Sequence, residues 1–190
     1  AAKWFDAAQK QGHAGAAHQL ALLHLTGDGV PRDPIRAAQL FREAAQKDLA
    51  DAQYGLGGLY RQGLGVAEDP QEAARWIGLA AQNGLPAAQV DYGIMVFNGE
   101  GVAPSEATAA AWFRRAADNG NPVAQNRLSR LYATGRGIEL DMIEAAKWHL
   151  LARTAGVSDP WLDGILAGLT DEERDAASAL AAERRNFNGC

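Results

Sequence analysis

AQYGLGGLYRQGLGVAEDPQEAARWIGLAAQNG, running from Ala52 to Gly84, decides the fold. In its second half Ala73, Trp76, Ile77, Ala80 and Ala81 recur at steps of three and four, which is one apolar face of a helix. The first half places Ala52, Leu56, Leu59 and Tyr60 at similar spacing. Between them lies Gly63-Leu64-Gly65-Val66, which alone looks like a piece of a phosphate-cradling loop. Such a loop needs a strand before it and a helix after it. Here a helix is expected on both sides, and no period-two alternation supplies a sheet. The glycines therefore read as a helix end and a tight turn, where a left-handed backbone is needed.

The stretch recurs along the chain. GDGV starts at Gly27, GLGV at Gly63, GEGV at Gly99 and GRGI at Gly135, each 36 residues after the last. The middle residue is Asp28, Leu64, Glu100 or Arg136, and two acids in four do not suit a phosphate site. A second ladder keeps the same step, with AAKWF from Ala1, AAQLF from Ala37, AARWI from Ala73, AAAWF from Ala109 and AAKWH from Ala145. A third runs through Ala16, Ala52, Ala88 and Ala124, the last three each followed by Gln. Asp33, Asp69, Ser105 and Asp141 stand as N-caps of the second helix in each unit, with Glu72 and Glu144 placed as the acidic half of a capping box.

Each unit is thus a hairpin of a helix A and a helix B whose apolar faces need a neighbour, and stacked hairpins predict an all-α, right-handed α-solenoid. Residues 1–158 form the array, with a partial unit at 1–11 and four repeats at 14–47, 50–83, 86–119 and 122–155. Residues 159–190 are expected to cap it. Trp161, Leu162, Ile165, Leu166 and Leu169 continue a helical stripe, and Thr170 to Glu173 is a capping box opening a last, polar helix to about Arg185. A chain that opens on Ala-Ala-Lys-Trp, inside a unit, reads as a processed or excised piece.

The pattern A-Q-x-x-L-G-x-L-Y-x-x-G-x-G-V, followed by D-x-x-x-A-A-x-W-x-x-x-A-A-x-x-G, resembles the Sel1-like repeat, a relative of the tetratricopeptide repeat. The likeness runs to Gly156. The chain departs from it at Asp48, where Gly12, Gly84, Gly120 and Gly156 stand in the other units, at Leu40 in place of Trp, and at His149 in place of Phe or Ile. The resemblance implies adaptor and scaffold roles in bacterial signalling and in envelope or polar assembly. The closing segment is also similar to alphaproteobacterial members. Some members carry a disulfide in each repeat; this chain has a single cysteine, Cys190.

Composition narrows the chemistry. A net charge of -5 with 22% charged residues argues against a broad nucleic-acid surface. No apolar run reaches membrane-spanning length, so no direct membrane insertion is expected in the visible chain. His13, His18, His24 and His149 show no metal-ligand spacing; His24 and His149 occupy core positions, and His18 is expected to face solvent. No nucleophile, base and oxyanion donor converge locally, so no enzyme, metal or cofactor is expected. Trp4, Trp76, Trp112 and Trp148 repeat on the buried face of helix B, and Trp161 belongs to the cap.

What the repeat leaves free is helix A, which lines the concave side of related solenoids. Its variable positions put Tyr54, Arg61, Val90, Asp91, Ile94, Phe97, Arg127 and Arg130 on that side, an apolar patch from the third repeat with an arginine rim. This composition suits another protein's extended or helical segment. The expected function is therefore a non-catalytic protein-protein interaction scaffold. The alternative is an envelope module binding a small ligand or cell-wall glycan through Tyr54 and Asp91. The compartment stays open between periplasm and cytoplasm, with the family's envelope association leaning to the periplasm.

Overall fold

The computed structural model describes the backbone of residues 1–188 and the side chains of residues 1–185; Cys190 lies outside them. The described residues form eleven α-helices and no strand. Helix A of the four repeats is α2 (Ala14–Thr26), α4 (Ala50–Gln62), α6 (Pro86–Asn98) and α8 (Pro122–Thr134). Helix B is α3 (Pro34–Ala45), α5 (Pro70–Gln82), α7 (Glu106–Asp118) and α9 (Met142–Thr154), with α1 (Ala2–Lys10) ahead of them. Two further helices follow, α10 (Pro160–Leu166) and α11 (Asp171–Asn188).

The chain divides into two compact units. The first is Ala1–Met95 with Gly99–Ala103, and the second is Val96–Asn98 with the chain from Pro104 onward. In the first, α1 packs on α2, α2 pairs with α3, α3 packs on α4, and α4 pairs with α5. In the second, α7 packs on α8, α8 pairs with α9, and α11 covers α9, while α10 touches both α8 and α9. The cores are rich in alanine: Ala37, Ala52, Ala73 and Ala80 in the first unit, and Ala109, Ala124 and Ala145 in the second, are fully buried. Small residues bring the helices close. A Cβ on Gly57 would come 2.5 Å from Cγ1 of Ile77 and 3.2 Å from the carbonyl oxygen of Ala73. Ser129 holds the same register in the second unit, and its Oγ donates to the carbonyl of Ala145 at 2.6 Å.

The loops show why Gly-x-Gly recurs. Gly63 closes α4 at φ +63, and its N–H donates to the carbonyl of Leu59. At Gly65, φ +74, a Cβ would lie 2.1 Å from the carbonyl oxygen of Pro34. The same approach is 1.8 Å at Gly101 against Pro70 and 2.3 Å at Gly137 against Glu106. Each loop therefore lies on the first turn of the preceding helix B, and the space a phosphate would need is filled by backbone.

The N-caps stand as expected: Asp33 accepts from the Arg36 N–H at 2.9 Å, and Asp69 from those of Gln71 and Glu72 at 3.0 and 3.1 Å. Ser105 accepts from Thr108, and Asp141 from Ile143 and Glu144. Thr170 and Glu173 form the reciprocal capping box. Glu72 and Glu144 do not close boxes. The amides they would reach, of Asp69 and Asp141, already donate to the carbonyls of Tyr60 and Tyr132. Each glutamate instead accepts from the indole N–H four residues on, Trp76 or Trp148, at 3.0 Å.

The recurrent glutamine is a joint between successive repeats. Buried Gln53 donates from Nε2 to the carbonyl of Ala45 at 3.2 Å, and Gln89 and Gln125 repeat this toward Ala81 and Ala117. Each of these carbonyls, near the end of one helix B, also accepts a backbone N–H from the following turn, so the glutamine of the next helix A takes its second acceptor site. The tryptophans divide. Trp76 and Trp148 are buried as expected, but Trp112 is half-buried and Trp4 is 82% exposed. Trp76 belongs to a core cluster with Leu40 of the preceding repeat and Leu56 of its own, a cluster that does not include Trp4.

Candidate functional site

On the first unit, Asp91 of α6 joins two donors of α4. The Tyr54 hydroxyl donates to its Oδ2 at 3.0 Å, and Arg61 Nη1 donates to the same oxygen at 3.2 Å. Burial pushes the Tyr54 hydroxyl above its ordinary pKa, and the adjacent Asp91 carboxylate adds to the rise. Ile94 is half-buried and Leu22 remains 39% exposed, while a Cβ on Gly58, at the register between them, would meet nothing within 4 Å. These positions form an open, partly apolar surface with a polar bracket. Two sequence expectations change here. Val90 is buried in the interior and offers no side chain to the surface. His18 is half-buried rather than solvent-facing; its ring meets the Phe41 ring edge-on with centres 5.5 Å apart, and burial lowers its pKa.

On the second unit the candidate residues are engaged differently. Arg127 is exposed. Phe97 is half-buried beneath Arg136, whose guanidinium carbon lies 4.4 Å from the ring centre and which also pairs with Glu106. Arg130 grips Asp159 with two bonds, Nε to Oδ2 at 2.6 Å and Nη2 to Oδ1 at 2.8 Å. Asn126 Nδ2 adds a third at 2.9 Å, and the Leu162 N–H a fourth at 3.3 Å. The Arg130 guanidinium also lies 4.9 Å from the Trp161 ring centre. The Asp159 side chain is only 5% exposed. Its carboxyl is held far below the usual carboxylate range, chiefly by the Arg130 hydrogen bond, against an opposing effect of burial and with help from Asn126 and the Leu162 N–H.

Asp159 is not among the residues to which the sequence pattern points. Its signal was the Asp159-Pro160 pair, a helix start like Asp33-Pro34 and Asp69-Pro70; nothing local indicates that this cap also reaches α8. His149 is 3% exposed, with Nε2 2.8 Å from Asp163 Oδ1, to which Arg153 also donates at 3.2 Å. Among the described residues no three His, Cys, Asp or Glu side chains gather as metal ligands, and no helix is long and apolar enough to cross a membrane.

Stacked helical hairpins with backbone-packed glycine loops define a repeat solenoid. Four segments, residues 14–49, 50–85, 86–121 and 122–157, match the Sel1 repeat, and the chain belongs to the Sel1 repeat family. It is 34% identical to a Sel1 repeat protein from Oxalobacter formigenes, whose crystal structure superposes with a TM-score of 0.79 over 86% of this chain and 48% of that one. It is also similar to c5321, a protective antigen present in uropathogenic Escherichia coli strains and displaying an SLR fold. There the identity is 26% and the TM-score 0.83, over 99% of this chain and 42% of that one. The immunity protein Pa5087 from Pseudomonas aeruginosa, at 21% identity and TM-score 0.50 over 96% of this chain and 73% of that one, shares the fold alone. The chain spans about half the length of the first two. No curated protein matches it. Sel1 repeat proteins generally act as protein-protein interaction scaffolds and are typically non-catalytic.

Proposed function

We propose that the chain is a non-catalytic scaffold that holds a segment of another protein on the exposed face of its helices A. The observation that carries this reading is on the first unit: Leu22, Gly58 and Ile94 stay open while Tyr54, Arg61 and Asp91 form a hydrogen-bonded polar bracket beside them. An apolar strip with fixed polar groups at its edge is how an interface combines burial with orientation. On the second unit Arg127, Arg130 and Phe97 are the positions assigned to the same task. Bacterial signalling or envelope assembly is the setting we propose from the family. A glycan site is less well supported, because the groups that would bind sugar hydroxyls, Tyr54 and Asp91, are bonded to each other.

The test is a pair of substitutions measured against the partner by calorimetry. Ile94→Glu places a charge in the apolar strip and is expected to weaken binding by about 2 kcal/mol, mostly through faster dissociation. Gln39→Glu, on the exposed side of α3, is expected to change nothing. Equal affinities for both variants and the parent, with unchanged helicity, would remove helix A as the docking face.

A further inference from the structure

The helix-A face of the fourth repeat is already occupied. Asn126 and Arg130 stand in register with Tyr54 and Gly58 of the second repeat, positions that the proposed function assigns to a partner. What they hold is the chain's own turn from Asp159 to Leu162. Asp159 takes three hydrogen bonds from Asn126 and Arg130, Trp161 lies under the Arg130 guanidinium, and Leu162 is fully buried. Asp159 at the same time caps α10 through the Leu162 N–H. The contact thus recognises a defined chemistry: an acidic N-cap, a proline that starts the helix, an aromatic ring for the guanidinium and a leucine for the interior.

We propose that this face of repeat four is a docking site for acid-capped helix starts of the type Asp-Pro-aromatic-Leu, and that residues 157–166 are its resident, exchangeable occupant. The inference rests on the reading of helix A as the partner face, and it names the ligand class for one repeat. Charge complementarity carries it. A cationic, bidentate Arg130 with an Asn126 amide beside it selects a carboxylate. The neighbouring repeats, with Tyr54 and Gly58 or Val90 and Ile94 at these positions, lack that cation. The occupant is tethered: only Ala155-Gly156 separates it from α9, so it acts at a high effective concentration and masks the site from weak competitors.

The experiment uses the full chain and a labelled peptide of sequence VSDPWLDGIL, which reproduces residues 157–166. Asp159→Asn keeps the size of the resident side chain but removes the charge that Arg130 grips. Fluorescence anisotropy is expected to show the peptide binding Asp159→Asn at least about 10-fold more tightly than the parent chain. The gain should vanish when the peptide's first Asp is replaced by Asn, and when Arg130→Gln is added to the protein. A folded Asp159→Asn chain that binds the peptide no better than a scrambled sequence overturns the proposal. Should Asp159→Asn not fold, the parent chain is incubated with millimolar peptide and followed by hydrogen exchange. Faster exchange at residues 159–166 supports displacement, and unchanged exchange overturns it. No external partner enters either assay, so failure here leaves the Ile94→Glu result on the first unit standing, and failure there leaves this one.

Discussion

The helix-A surfaces of repeats two and four follow the same 36-residue frame and meet different fates. In repeat two the register positions are Tyr54 and Gly58, and the surface between the side chains is open. In repeat four they are Asn126 and Arg130, and the chain's own Asp159 turn lies on them. The frame residues, buried alanines, glutamines and loop glycines, dictate where helix A emerges. Whether that face is free is decided by the residues the frame ignores.

Several substitutions break or sharpen this contrast. The largest effect belongs to the frame itself: Gly65→Ala would set a Cβ 2.1 Å from the Pro34 carbonyl oxygen at a positive φ, and is expected to cost about 3 kcal/mol or more, seen as a drop in the urea midpoint. A midpoint within error of the parent would show that the loop does not rest on α3. Next comes the occupied face. Arg130→Ala leaves the Asp159 carboxylate buried without its cation and is expected to cost about 2 kcal/mol, at the low end for such a loss because Arg130 is itself half in water. Arg61→Ala, removing the counterpart pair on the open face, is expected to cost no more than about 0.5 kcal/mol. Equal costs would erase the distinction between the two faces.

Acid should act on the occupied face. The folded-state pKa of Asp159 lies below its unfolded value, so its contribution is fully present above the unfolded pKa of about 4 and fades as pH falls from there toward the folded value. Compared with the parent, Asp159→Asn should therefore lose less stability between about pH 4 and pH 2.5 in urea titrations. Parallel pH curves would deny Asp159 that role. The smallest effect is a gain. Asp48 adopts φ +59 where the other units have glycine, so Asp48→Gly should stabilise by about 0.5 to 1 kcal/mol in the same assay. A loss would mean that the Asp48 side chain matters more through its long contact to Gln53 than through backbone strain.

The helices, their caps and the role of the Gly-x-Gly loops were legible because they repeat: five copies of the Ala-Ala ladder state one periodicity, and periodicity is what packs. The departures were harder. Glu72 and Glu144 have capping-box spacing, but the target amides donate to the carbonyls of Tyr60 and Tyr132, and the glutamates accept instead from the indole four residues on and from Arg75 or Lys147 three residues on. Trp4 matches Trp76 in sequence, yet it is exposed and outside the core cluster that Trp76 joins. Val90 shares a column with the half-buried His18, Tyr54 and Asn126, yet is itself buried. Arg130 lies in repeat four and Asp159 29 residues further on, outside the 36-residue frame, so only the folded chain brings them together.

Whether the open helix-A face holds a partner can be read by site-specific photocrosslinking in the native host. Benzoylphenylalanine replaces Gly58, where the structure leaves space for it, and in a second strain Gln39 on the exposed side of α3. A discrete crosslinked protein is expected at position 58, abolished by Ile94→Glu, and none at position 39. A crosslink at position 39 with none at position 58 would contradict it and move the docking surface to helix B.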